Sequence, residues 1–199
     1  MADAGRVIAG SARGVRLAAP GPGTRPLADR VKQTLFAVLE PELLGASVLD
    51  LFAGSGAGAI EALSRGAARA VLVEKDGGAA RVIAENLRRA AVGDHARVVR
   101  RDVAAWLADA GANGAVAAPE APFDIVLLDP PYADTDALAH ALALVGGVLA
   151  PDGVVVAKHF WKDAPPAGIG LLASVRERRF GETSLTFYRR PDGEEADGS

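Results

Sequence analysis

Val48-Leu49-Asp50-Leu51-Phe52-Ala53-Gly54-Ser55-Gly56-Ala57-Gly58-Ala59 decides the fold of this chain. Val48–Phe52 is apolar except for Asp50, as expected of a strand buried on both faces of a parallel sheet. Three glycines within five residues follow, and then Ala57–Arg65 reads as a helix. Glycines let the chain turn sharply and let a ligand come close to the backbone. A structural βα turn has little use for so many.

The pattern repeats outward from this unit. Ala70–Glu74 reads as a strand and Gly78–Ala91 as a helix with Ile83 and Leu87 on one face. Arg97–Arg101 is a third strand, followed by a short helix at Val103–Ala110 and an Ala/Gly/Pro-rich surface loop at Gly111–Pro122. Phe123–Leu128 is a fourth strand, Ala137–Val148 a helix and Val154–Lys158 a fifth strand. Ser174–Phe180 and Thr183–Arg189 alternate about Gly181 as an antiparallel pair. Strand–helix alternation closed by a hairpin predicts an α/β, doubly wound, Rossmann-like sheet with an antiparallel C-terminal edge.

The fourth strand ends on Asp129-Pro130-Pro131-Tyr132. Open α/β sheets bind ligands at the carboxyl ends of their strands. The two prolines fix φ and remove two backbone donors. What remains is a rigid acceptor site, the Asp129 carboxylate with the Pro130 carbonyl, beside the flat ring of Tyr132. It suits a planar molecule carrying an exocyclic NH₂, as a nucleobase does.

The chain has 199 residues, half of them apolar, enough for one globular core. It has no cysteine, so disulfides, thiolate metal sites and cysteine nucleophiles are excluded. No His/carboxylate cluster has metal-ligand spacing. Neither a signal peptide nor a membrane span is read, and a cytoplasmic, monomeric protein without a metal is expected. The formal charge of −3 hides an asymmetry: Arg6, Arg13, Arg16, Arg25, Arg30 and Lys32 face only Asp3 and Asp29 within residues 1–32. A basic segment on a mildly acidic chain points to a polyanionic partner.

Three regions are expected. Residues 1–40 form a basic extension: a hairpin of Val7-Ile8 with Val15–Leu17, then a helix from Asp29 to about Glu40, before Pro41. Residues 41–190 form the core, and 191–199 an acidic, disordered tail. His95 and His140 read as structural or solvent-facing and Trp106 as core; His159 and Trp161 read as packing or surface, with contact to a nucleobase or to RNA as the less favoured alternative.

The glycine loop also fits the loose dinucleotide pattern, with Glu74 18 residues after Gly56 to hold ribose hydroxyls. Charge disfavours NAD. Asp50 at the loop's mouth would repel a pyrophosphate by about 1 to 4 kcal/mol at ~4 Å. S-adenosylmethionine, cationic at its ammonium and sulfonium, fits better, with Glu74 on its ribose and Asp102 and the Val103 N–H near its adenine. A methyl donor above the first strand and an amine site above the fourth would be neighbours at the sheet's switch point.

These residues resemble a known family. Asp50–Gly58, Glu74 and Asp129-Pro130-Pro131-Tyr132 are similar to class I amino-methyltransferases. Arg6-Val7-Ile8-Ala9-Gly10, Arg13-Gly14-Val15-Arg16-Leu17, Arg25-Pro26, Asp29-Arg30-Val31-Lys32, Gly181-Glu182-Thr183 and Phe187-Tyr188-Arg189 narrow the resemblance to bacterial 16S rRNA guanine-N2 methyltransferases of the D type. It implies a seven-stranded methyltransferase sheet and a guanine of 16S rRNA, on the small ribosomal subunit, as substrate. It assigns Asp129, Pro130, Pro131 and Tyr132 to catalysis. It assigns Asp50, Phe52, Gly54, Ser55, Gly56, Glu74, Lys75, Asp102 and Val103 to S-adenosylmethionine, and the six N-terminal basic residues to RNA. Leu27-Ala28 and Lys158-His159 depart from the family pattern. The rival substrates are a DNA adenine N6 or a protein glutamine amide; the rival class is an NAD-dependent oxidoreductase or a non-catalytic nucleotide-binding module.

Overall fold

The computed structural model describes residues 3–21, 29–114, 118–131 and 134–191. Tyr132, Arg25 and the acidic segment from Asp192 on lie outside the described residues. An eight-stranded sheet forms the centre. Its strands are β3 (Ser47–Leu51), β4 (Arg69–Glu74), β5 (Ala96–Arg100), β6 (Phe123–Leu128), β7 (Leu149–Phe160), β8 (Gly168–Ile169), β9 (Leu172–Phe180) and β10 (Thr183–Arg189). The spatial order is β5-β4-β3-β6-β7-β10-β9-β8, parallel through β7 and antiparallel beyond it. The seven principal strands are those expected; β8 adds a two-residue eighth at the edge.

Helices cover both faces. On one, α1 (Asp29–Leu43), α2 (Ala57–Ser64) and α3 (Gly77–Arg89) bury Leu35, Phe36, Ile60 and Ile83 against Val48, Ile125, Leu127 and Leu185. On the other, α4 (Val103–Asn113) and α5 (Thr135–Val145) bury Trp106, Leu107, Leu138 and Leu142 against Leu49, Leu51, Val126 and Leu128. Successive residues of β3 therefore serve opposite layers, which is why this strand is apolar without alternation.

Several boundaries differ from expectation: α4 runs on to Asn113 into the expected loop, α5 starts at Thr135 and ends at Val145, β9 begins at Leu172, and three others differ for a clear local reason. Helix α1 runs through Pro41 to Leu43. In the last turn a proline removes only one intrahelical bond, and Leu43 is buried in the core. Strand β7 begins at Leu149 instead of Val154, because its register against β6 jumps from Phe123↔Leu149 to Ile125↔Val154. Pro151, with no N–H to donate, is accommodated in that irregularity. The N-terminal ladder pairs β1 (Asp3–Arg6) with β2 (Arg16–Ala18), ahead of Val7-Ile8. Val7 still joins the hairpin, donating its N–H to the Val15 carbonyl at 2.9 Å.

The N-terminal extension is not a separate body. Ala4, Val7 and Leu17 belong to the same buried cluster as α1, α2 and the sheet.

Candidate active site

The chain runs outward from β3 to β5 and then returns to place β6 on the other side of β3. The carboxyl ends of β3 and β6 are thus neighbours at the switch point, where α/β sheets open a crevice. Leu51 pairs with Leu128, and the Asp129 N–H donates to the Leu51 carbonyl at 3.4 Å. The glycine loop and the Asp129-Pro130-Pro131 turn therefore stand side by side.

Within the loop, Phe52, Gly54 and Gly56 all have positive φ, at 61°, 56° and 77°. Gly56 ends the turn in the left-handed region and opens α2. Gly58 has another role: a Cβ there would lie 2.8 Å from Leu127 and 3.1 Å from the Asp50 carboxylate, so only glycine lets α2 approach the sheet this closely. Ser55 is buried, and its carbonyl accepts from the Asn86 side chain at 2.9 Å.

Glu74, at the end of β4, holds the loop. One oxygen accepts from the Gly54 N–H at 2.9 Å and the other from the Asp76 N–H at 2.9 Å. Next along the rim, exposed Asp102 caps α4 through the Ala105 N–H at 3.1 Å, and Val103 is buried beneath it. Lys75 is exposed between them. The structure brings Gly54, Ser55, Gly56, Glu74 and Asp102 onto one rim.

Asp50 departs from its expected placement. Its carboxylate is buried, not open at the mouth, and accepts from the Ala59 N–H in the first turn of α2 at 2.9 Å. Burial pushes its pKa up to about 7, helped by the charges of Asp129 and Glu74 and opposed by the Ala59 hydrogen bond. A partly protonated, enclosed acid repels a phosphate less than the exposed one expected from the sequence. Its local contact is with the helix N-terminus.

Asp129 has a partner that the sequence did not reveal. Lys158, on β7, donates to both Asp129 oxygens, at 2.7 and 2.9 Å. Leu128 pairs with Ala157, which places residues 129 and 158 side by side across two parallel strands. Lys158 is 14% exposed and Asp129 41%, so the acid faces the crevice and the ammonium lies beneath it. Pro130 is buried and Pro131 exposed, and together with Leu138, Lys158 and Phe160 they line a small cleft. His159, also on the cleft wall, is buried with both ring nitrogens engaged, by the Phe160 carbonyl and the Thr186 hydroxyl. It is structural, as expected, and Trp106 is core.

The six basic residues expected at RNA divide. Arg6, Arg13, Arg16 and Arg30 are exposed, Arg6 near Asp29 at 3.3 Å and Arg16 on Asp3 at 2.8 Å. Lys32 is a correction: it is 1% exposed and donates to the Arg6 carbonyl at 2.8 Å. Burial lowers its pKa, against the pull of Glu61 and Asp29. Its position gave the signal, since it precedes Phe36 by four residues and Leu39 by seven on the apolar stripe.

Two further residues escaped sequence reasoning. Glu61, fully buried on α2, accepts from the Ile8 and Ala9 N–H groups at 2.7 and 3.0 Å and from Arg65 at 2.8 Å. Asn86, fully buried on α3, exchanges hydrogen bonds with Ala18 on β2 while holding the Ser55 carbonyl. Both are polar residues on faces otherwise apolar, a signal visible in the sequence.

Known proteins resemble this chain over most of its length. A family model described as conserved hypothetical protein 95 matches residues 5–189. Ribosomal RNA small subunit methyltransferase D of Escherichia coli K12 is 35% identical over 195 residues, covering 96% of this chain and 93% of that protein. Its namesake from Haemophilus influenzae is 36% identical over 129 residues, covering 64% of this chain and 63% of its own. The solved structure of a hypothetical protein from Thermus thermophilus superimposes with a TM-score of 0.77 at 37% identity, covering 92% of this chain and 98% of that one. The chain belongs to the conserved hypothetical protein 95 family, that of ribosomal RNA small subunit methyltransferase D.

Proposed function

We propose that this protein is an S-adenosylmethionine-dependent methyltransferase acting on the exocyclic N2 of a guanine in 16S rRNA, on the assembled small subunit. The observation that carries the reading is the placement of Asp129 and Pro130 against the glycine loop, through the Leu51–Leu128 pairing and the Asp129–Leu51 hydrogen bond. The names of its relatives support an rRNA substrate and methyl transfer.

The residues present fit the nucleoside cofactor. Glu74 keeps lone pairs for ribose hydroxyls while its two oxygens hold Gly54 and Asp76, and Asp102 reaches the rim where an adenine amine would lie. When bound, S-adenosylmethionine supplies a methyl group activated by its sulfonium.

This chain's part is to make the acceptor nitrogen reactive. An aromatic amine is a weak nucleophile because its lone pair is delocalised into the ring. Hydrogen bonds from that amine to the Asp129 carboxylate and the Pro130 carbonyl favour a tetrahedral nitrogen and stabilise the positive charge that grows on it. The amine keeps its protons until attack, and one leaves during or after transfer. Tyr132 supplies a stacking face at about 1–3 kcal/mol. The base enters unpaired or flipped out. The exposed arginines of the hairpin and of α1 contact phosphates.

The test is transfer of a labelled methyl group to unmodified small subunits, protein-free 16S rRNA and DNA, with the modified nucleoside identified by mass spectrometry. N2-methylguanosine on subunits, weaker on bare RNA, is the expected result. N6-methyladenine, or no label in nucleic acid, would overturn the substrate assignment.

A further inference from the structure

The antiparallel edge of the sheet carries a second concentration of positive charge. Strand β9 carries Arg176, Arg178 and Arg179 against Glu177, with Lys162 beside it, in a protein whose overall formal charge is −3. Strand β9 is exposed from Ser174 through Arg179, because β8 pairs only with Leu172 and Ala173.

Register ties this edge to the catalytic cleft. Lys158 pairs with Leu185 and Leu185 with Arg178, so one row crosses β7, β10 and β9. At the usual strand spacing Arg178 stands ~10 Å from Lys158, which itself touches Asp129. The next row is His159, Ser184 and Arg179.

At the end of β7 the charge is combined with a ring. The Arg179 guanidinium lies 3.6 Å from the centroid of Trp161, and its Nε–H is fixed on the Gly181 carbonyl at 3.0 Å. Lys162 approaches the same ring at 5.3 Å. The Trp161 backbone N–H donates to the Glu182 carbonyl at 3.1 Å, and its ring packs beside Phe160, which lines the cleft. A guanidinium layered on an indole offers a flat, cationic platform of the kind on which unstacked RNA bases rest. Surface charge that merely shields a sheet edge needs no such layering.

We infer that the β9 edge and the Trp161–Arg179 stack form a second RNA-binding surface, which takes a nucleotide flanking the target: its base on the stack at one face and neighbouring phosphates on Lys162 and, around the exposed edge, on Arg176 and Arg178 of the other face. The inference rests on the rRNA reading of the cleft and deepens it. RNA would then be gripped on two sides of the reacting base, by the N-terminal hairpin and by this edge.

The test measures binding of unmodified small subunits by the full-length protein at several salt concentrations, with S-adenosylmethionine affinity measured in parallel. Arg176→Ala/Arg178→Ala should weaken subunit binding roughly tenfold and lower the salt slope by about 1.4–1.8, two phosphate contacts' worth. Trp161→Ala should weaken it roughly tenfold with the slope unchanged. Arg176→Lys/Arg178→Lys should restore the slope, and cofactor affinity should not move in any variant. Wild-type slope and affinity in the double alanine variant, with wild-type protein binding and methylating subunits, would overturn the second surface alone. Wild-type protein that binds and methylates no RNA would overturn the rRNA reading and this inference with it.

Discussion

The Lys158 ammonium sits between the two oxygens of Asp129, 2.7 and 2.9 Å away, joining the ends of two adjacent parallel strands. The acid proposed to receive the substrate amine is already oriented by a cation before substrate arrives. Replacing Lys158 with Met should free the carboxylate to rotate and lower the single-turnover rate about tenfold, with cofactor affinity unchanged. Lys158→Arg should recover part of the rate. An unchanged rate in the Met variant would leave the pair without a role in transfer.

Asp129→Asn keeps the size of the side chain but removes its charge. Loss of one preorganised acceptor for developing charge should lower turnover by about 10²–10³. Isothermal titration should still detect S-adenosylmethionine, and the thermal midpoint should shift little. Near-normal turnover would remove Asp129 from the mechanism.

Glu74→Ala should lower cofactor affinity at least tenfold, through loss of the proposed ribose acceptor and of the bond that holds Gly54. Subunit binding without cofactor should be unaffected. Titration calorimetry separates the two.

Asp50 predicts a pH dependence of stability. Its folded pKa, about 7, lies above the usual 3.8, so folding favours the protonated form. Its contribution is full below pH 4 and is lost as pH rises toward 7, on the order of 4 kcal/mol in all. Asp50→Asn removes that term. Urea unfolding from pH 4.5 to 7.5 should show a flatter profile in the variant; parallel profiles would contradict the assignment.

Glu61→Ala would strand the Ile8 and Ala9 N–H groups and leave Arg65 without its carboxylate. A loss of about 3–5 kcal/mol of stability is expected. Chemical denaturation measures it directly.

The sheet and its switch point were legible in the sequence because burial on both faces and close backbone approach leave local marks. The apolar run Val48–Phe52 and glycines 54, 56 and 58 are such marks. Lys158 was not legible as the partner of Asp129. Their meeting depends on the parallel register of β6 against β7, which no local pattern encodes. Asp50 was read as exposed because its side-chain direction is set by how closely α2 packs, through Gly58. Lys32 could have been placed, since the helical period already put it with Phe36 and Leu39; its charge outweighed its position.

The turn of the N-terminal hairpin is fastened to α2 by buried bonds. The Ser11 N–H and the Ser64 carbonyl meet at 2.8 Å, and a Cβ on Gly10 would overlap that same carbonyl at 1.7 Å. Helix α2 begins at the glycine loop, and Asn86 joins the same hairpin to Ser55. The arginines proposed to meet RNA are thus carried by the same rigid unit as the cofactor loop. Most of the ordering entropy that a free basic arm would lose on meeting the ribosome is lost here when the chain folds. Amide exchange in the Val7–Ala12 turn should therefore be slow in the free protein, and RNA should slow it little further.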